Sequence, residues 1–146
     1  MAEHATTIRP RHDLSLRDIE CLEDRLYDHN RRATGKHDGQ RLAFVALDSA
    51  GQQIGAIAGY TWAGIAEIKQ LWVDEAHRRT GIGRRLLDAA IAEASHRHCQ
   101  CVWVMSYEFQ APGLYEKCGF ERVAELQDWP PGYSHVVLRR WLQRTE

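Results

Sequence analysis

Apolar positions along the chain recur first at helical spacing, then at strand spacing, and the two patterns alternate to the end. Thr6 to Arg9 reads as a short strand. Leu16, Ile19, Leu22 and Leu26 then fall three or four residues apart, the stripe of an amphipathic helix. Ser15 opens that helix, and Asp18 three residues on makes a relative of the capping box. The stripe fades between Asp28 and Gly35, a polar stretch that reads as helix end and loop.

Two strand signals follow, Arg41 to Leu47 and Gln53 to Thr61, joined by Asp48-Ser49-Ala50-Gly51-Gln52 as a hairpin with a glycine in its turn. A third run, Glu67 to Val73, is reached through a turn near Trp62-Ala63-Gly64. The longest helix runs from Ile82 to about His96, with Ile82, Leu86, Ala90 and Ala94 on one stripe and Leu87 and Ile91 beside them. Cys101 to Ser106 is a short apolar strand, and a strand–helix–strand unit with so long a helix implies a parallel pair. A shorter helix spans Ala111 to Lys117, with Gly119 suited to its C-cap. Glu121 to Leu126 and His135 to Trp141 are the last strands, on either side of a turn containing Pro130-Pro131-Gly132. The expected order is β-α-β-β-β-α-β-α-β-β. That is an α/β protein (α+β by the stricter definition), with helices on the faces of a mixed sheet.

Composition changes this picture little. The 146 residues suit one domain, 1–146, large enough to hold a core without disulfide or metal staples. Nineteen basic against twenty acidic side chains leave a formal charge of −1, which removes the electrostatic motive for a nucleic-acid or membrane-surface partner. No apolar run approaches the ~18 residues of a membrane span, and the polar N-terminus lacks a signal-peptide core, so the expected location is cytoplasmic. Cys21, Cys99, Cys101 and Cys118 form no C-x-x-C pair. His96, His98, Cys99 and Cys101 cluster where a helix gives way to a strand, so alternate side chains diverge and no metal is expected.

Candidate chemistry concentrates at Arg78-Arg79-Thr80-Gly81-Ile82-Gly83-Arg84, between a strand and an amphipathic helix. Glycines let a ligand approach the backbone, and a helix N-terminus offers unpaired N–H groups and a positive dipole end. Three arginines add formal charge, which together suits a pyrophosphate. The segment is neither a Walker loop, since no G-x-x-x-x-G-K-[ST] occurs, nor a dinucleotide fingerprint, since the third glycine is absent. A basic helix start using glycine as a turn is the plainer alternative.

Taken in order, Leu71-Trp72-Val73-Asp74, Arg78-x-x-Gly81-x-Gly83 and Leu114-Tyr115-Glu116-Lys117-Cys118-Gly119-Phe120 make the chain resemble the GNAT family of N-acetyltransferases. The likeness extends over the element order from Thr6 to Arg140, and the 110–120 and 130–142 segments look like a subgroup of small bacterial members. It implies a GNAT-like, mostly antiparallel central sheet with helices on both faces. It implies acetyl-CoA as acetyl-donor cosubstrate, its pyrophosphate held by Arg78, Arg79, Thr80, Gly81, Ile82, Gly83 and Arg84. Trp72 and Val73 would lie on the strand edge that pairs with the pantetheine arm. In the family this strand splays from the one after the long helix, so that a backbone N–H near Trp72 or Val73 can polarise the acetyl carbonyl.

The same resemblance makes Tyr115 the acid that protonates the departing thiolate, with packing on the sheet as its plainer role. Where many members carry an asparagine that contacts pantetheine, this chain has Glu108. Glu67, eleven residues before Arg78, matches the general-base glutamate of the histone-acetyltransferase branch; a solvated glutamate at a strand start, with ordered water as base, is the alternative. Acceptor selection is expected from Tyr27, His29, Asn30 and Thr34 on one side and from Asp128, Trp129 and Tyr133 on the other, with Trp62 and Tyr107 lining the cleft. A rigid turn whose aromatics only cover the core edge would explain the second group as well.

The expected function is transfer of acetyl to a primary amine of a small molecule by direct attack in a ternary complex. A protein N-terminal or lysine acetyltransferase, and a non-catalytic acyl-CoA sensor, are the alternatives. Trp141 and the Val136-Val137-Leu138 run read either as a homodimer contact or as a buried core strand.

Overall fold

In the computed structural model, which describes residues 6–142, the chain divides into two units at Lys36. The first unit contains one helix, α1 (Leu16–Thr34). Ser15 caps it as a full capping box: its Oγ accepts from the Asp18 N–H at 3.1 Å, and the Asp18 carboxylate accepts from the Ser15 N–H at 2.9 Å. Gly35, at φ 69°, supplies the left-handed residue that ends the helix. The expected strand at Thr6 to Arg9 does not form. Its one apolar side chain, Ile8, is 93% exposed, and Pro10, with no N–H to give a ladder, follows at once.

The second unit holds β1 (Gln40–Leu47), β2 (Gln53–Trp62), β3 (Ile65–Val73), α2 (Ile82–His96), β4 (Cys101–Tyr107), α3 (Pro112–Lys117), β5 (Glu121–Leu126) and β6 (His135–Trp141). They make a six-stranded sheet in the order β1-β2-β3-β4-β6-β5, in which only β3 and β4 run parallel. This is the expected mixed, mostly antiparallel sheet without its first strand. The β1–β2 turn is tied by the Asp48 carboxylate, whose Oδ1 accepts from the N–H groups of Ala50 and Gln52, both at 2.9 Å.

The core forms because one side of α2 and one face of the sheet carry aliphatic side chains at matching periods. Leu86, Leu87, Ala90, Ile91 and Ala94 of α2 are buried in one cluster with Leu42, Ile57, Ile68, Val102, Val104, Val136 and Leu138. Burying each of the larger of these contributes roughly 1.5–3 kcal/mol.

One irregularity in this sheet positions everything that follows. Ala58 pairs with Gln70 but Gly59 pairs with Ile68, which leaves Lys69 as the extra residue of a bulge. The bulge switches the side-chain alternation. Ala66 and Ile68 face the core before it, while Leu71 and Val73 do so after it. Gly59 is required there, because a Cβ would stand 1.9 Å from the Glu67 carbonyl oxygen.

Candidate active site

The parallel pairing of β3 with β4 runs from Ile65 opposite Cys101 to Ile68 opposite Val104, and stops there. Both strands continue: β3 to Val73, paired with β2, and β4 to Tyr107, paired with β6. A gap therefore opens between them at the bulge. The Asp74 N–H donates to the Ile54 carbonyl at 2.8 Å, so by the two-residue period of the ladder Trp72 also faces β2, and the backbone groups of Leu71 and Val73 turn to the gap. The Val73 carbonyl accepts a hydrogen bond from Arg78 Nε at 3.0 Å, which ties the following loop to the rim.

That loop is built to present N–H groups. Arg79 and Gly81 both take positive φ, 62° and 83°, and Thr80 Oγ1 donates to the His77 carbonyl at 2.5 Å. Gly81 is the N-cap of α2 and gives no side-chain cap; the first intrahelical bond is from Arg85 N–H to Gly81 O, 3.1 Å. Among the described residues, none accepts from the N–H groups of residues 79 to 84. Turns of this kind followed by a helix N-terminus make a concave anion site. The side chains of Arg78, Arg79 and Arg84 are exposed around it, Arg84 reaching Asp88 at 3.9 Å. A pyrophosphate fits this donor set, which holds six N–H groups and three guanidinium groups, one of them facing the Asp88 carboxylate.

Helix α3 closes one side. A Cβ on Gly83 would be 3.5 Å from Leu114 and 3.7 Å from Val73, so α2, α3 and the end of β3 meet there. Tyr115 is 6% exposed and packs edge-on against Phe120, ring centres 5.5 Å apart. Burial pushes its phenol up to about 12, so it holds its proton throughout neutral pH. Glu108, which stands where the resemblance calls for asparagine, is ion-paired with Arg122 at 3.2 Å; Arg122 also holds Glu116 and Glu125.

On the sheet face opposite Ile68, just before the gap, Glu67 is part of a network. Tyr60, its register partner on β2, donates its hydroxyl to Glu67 Oε2 at 2.5 Å, and Lys69 Nζ lies 2.9 Å from Oε1. The Lys69 ammonium also lies 5.7 Å above the Tyr60 ring. Burial first, and the Glu67 contact second, push the Tyr60 phenol up to about 12. Tyr60, Trp62, Ala63, Ile65, Glu67 and Trp103 line a cavity of about 230 Å³. An apolar, aromatic wall with one carboxylate suits the body and ammonium of an organic amine.

Further along β4, Tyr107 stacks on His135 at 4.2 Å and on Phe109 at 5.2 Å. Tyr133 meets Phe109 edge-on, and Trp129 meets His135 edge-on. Asp128 folds this loop, its Oδ1 accepting from the Gly132 N–H at 3.2 Å. The structure thus brings Trp62 and Glu67 to one cavity, and joins Tyr107, Trp129 and Tyr133 through rings. Tyr27 and Asn30 stand on α1 in the first unit. Tyr60, Lys69, Trp103 and His135 carry no local motif; their signal lies in strand register.

Comparison with known proteins agrees with this geometry. Residues 7–120 match the family model of the acetyltransferase (GNAT) family. The chain is 33% identical to blasticidin-S acetyltransferase of Streptomyces morookaense over 99 residues, covering 66% of this chain and 73% of that protein. The crystal structure of an acetyltransferase from Bacillus cereus superposes with a TM-score of 0.76 at 24% identity, over 92% of this chain and 98% of that one. A Bacillus anthracis structure solved in complex with acetyl coenzyme A gives 0.63 at 23% identity, over 70% of this chain and 63% of that one.

Proposed function

The chain belongs to the GNAT family of acetyltransferases, and we propose that it moves acetyl from acetyl-CoA to a primary amine of a small molecule by direct attack in a ternary complex. The observation that carries this reading is the break in the sheet. A gap between two strands of one sheet, beginning at the Lys69 bulge and ending beside six unpaired N–H groups, accepts an extended arm with a diphosphate at its end. Residues 1–146 are read as one catalytic domain.

Acetyl-CoA supplies an activated thioester. Residues 78–84 bind its diphosphate, and the backbone of Leu71 to Val73 pairs with the arm and offers an N–H to the acetyl carbonyl as charge develops on it. Glu67 takes the proton of the acceptor amine, directly or through water, and Tyr115, held protonated by burial, gives one to the leaving sulfur. Trp62, with Tyr60 and Trp103, holds the body of the amine; Tyr107, Trp129 and Tyr133 shape the far end of the cleft. The small-molecule class draws support from the modest size of the Glu67 cavity, about 230 Å³, and from a 33%-identical relative whose name specifies a small molecule.

The test is mass-spectrometric detection of product from the purified chain, acetyl-CoA and a mixed panel of polyamines, amino acids, aminoglycosides and lysine peptides. One or a few acetylated small amines are expected. Product on peptides alone would replace this reading with a protein acetyltransferase; binding of acetyl-CoA with no transfer at all would replace it with a sensor.

A further inference from the structure

The carboxylate at the head of the gap already holds a primary amine, and that amine belongs to the chain itself. Lys69 is the extra residue of the bulge at which β3 leaves β4, so its backbone stands where the gap begins. Its side chain runs back to Glu67, with Nζ 2.9 Å from Oε1 and over the Tyr60 ring. An ammonium against a carboxylate and an aromatic face is the arrangement a cationic acceptor needs in order to bind and to lose its proton. Tyr60 fixes the other carboxylate oxygen, so Glu67 presents Oε1 toward this amine. The chain has only three lysines, and the other two are placed differently: Lys36 ends the first unit, and Lys117 lies in the last turn of α3.

We propose that Lys69 is a self-acetylation site and, until modified, an internal stand-in for the acceptor ammonium. The inference rests on the acetyltransferase reading above. In the step, Glu67 takes one proton from the Lys69 ammonium and the freed Nζ attacks the thioester carbonyl carbon. The C–N bond forms, the C–S bond breaks, the sulfur leaves with a proton from Tyr115, and the second proton shed by the attacking nitrogen restores the Tyr115 phenol through solvent. The products are Nζ-acetyl-Lys69 and CoA thiol, with one proton released to solvent once Glu67 and Tyr115 return to their starting states. The acetylated side chain carries no charge, so the ion pair to Glu67 is lost and the carboxylate becomes free for a cationic acceptor.

The whole chain is incubated with isotopically labelled acetyl-CoA, without acceptor, and each lysine is scored by peptide mass spectrometry. Binding of acetyl-CoA is titrated calorimetrically in parallel, and transfer to the amine panel is measured on the same preparation. Label is expected at Lys69 well ahead of Lys36 and Lys117, with a first-order rate independent of protein concentration. Glu67→Gln should slow labelling of Lys69 by about tenfold or more while acetyl-CoA binding is kept and labelling of the other two lysines is unchanged. Lys69→Arg, which keeps the cation but cannot be acetylated by this route, should remove the fast-labelled site. Equal labelling of all three lysines, or transfer to small amines with Lys69 unlabelled, overturns the inference and leaves the enzyme reading standing. Failure of acetyl-CoA to bind overturns that reading, and this inference falls with it.

Discussion

The two halves of β3 share one strand but serve different ends. From Ile65 to Ile68 the backbone is paired with β2 on one side and β4 on the other, so only side chains are left to meet a ligand there: Glu67 with its Tyr60 and Lys69 partners. From Lys69 to Val73 the β4 side is open, and the backbone groups themselves face the gap, with the side chains of Leu71 and Val73 anchored in the core. A strand interior normally has no spare N–H or C=O to offer a ligand. One inserted residue creates a row of them beside a carboxylate. The bulge is therefore the feature that most deserves to be broken.

Gly59→Ala breaks it most directly. The new Cβ would lie 1.9 Å from the Glu67 carbonyl oxygen, a backbone atom that no rotamer change can move aside. We expect a loss of about 3 kcal/mol or more in denaturant unfolding, with acetyl-CoA binding lost as the register shifts. Wild-type stability in this variant would mean that the strands do not bulge at Lys69, and the contrast between the two halves would go with it.

Tyr115→Phe leaves the sheet alone and separates the proposed proton donor from the proposed binding edge. With the Phe120 packing kept, kcat should fall roughly 10²-fold or more while the KM for acetyl-CoA changes little. The same variant carries a stability signature. The buried phenol titrates at about 12, above its ordinary 10.0, so folding favours the protonated form. Its stabilisation is complete below pH 10 and is lost as pH rises from 10 through about 12, a change of about 2–3 kcal/mol. Tyr60, raised in the same direction but 38% exposed, adds less over the same window. Unfolding followed from pH 9 to 12 should show a shallower alkaline decline in Tyr115→Phe; an unchanged decline would assign it elsewhere.

Gly81→Ala tests the open half through its loop. At φ 83° an alanine is strained by about 1 kcal/mol, and relieving that strain turns the N–H groups of Gly81 and Ile82 away from their common focus. Acetyl-CoA affinity should fall several-fold in calorimetric titration, with the Glu67 network and its cavity untouched. Unchanged affinity would remove Gly81 from the binding loop.

Much of this architecture could be read from the chain. The α2 limits, the Ser15 cap and the Arg78–Arg84 loop are local patterns, written in adjacent residues, and local patterns survive folding. The strand assigned to Thr6–Arg9 failed because β-branched residues alone do not make a ladder without a buried partner face. What stayed hidden was register. Lys69 looks like any polar strand residue, and nothing near it in sequence says that Gly59 opposes Ile68 rather than Lys69. The Tyr60–Glu67 contact spans seven residues across a hairpin, and Trp103 and His135 reach their cavity and ring cluster through pairing with distant strands. The aromatic residues of the 127–135 loop are visible as candidates, but Asp128, expected to help select the acceptor, is also engaged in folding its own turn.

Gly83→Ala should have the smallest effect, and its sign is informative. Gly83 lies in the first turn of α2 with an ordinary helical φ, and a Cβ there would meet Leu114 at 3.5 Å and Val73 at 3.7 Å, both normal contacts. The substitution removes backbone freedom from the unfolded chain and adds packing against α3, so unfolding should become harder by about 0.5–1 kcal/mol. Its N–H direction is set by the helix and not by the absence of a side chain, so acetyl-CoA affinity should stay within a few-fold of wild type. Gly81 and Gly83 would then divide the loop's two requirements, a left-handed turn at the first and only a small residue at the second. A large loss of affinity in Gly83→Ala would instead mean that the ligand presses on the Cα of residue 83. The diphosphate would then be held deeper in the gap, against Leu114, than the exposed arginines alone imply.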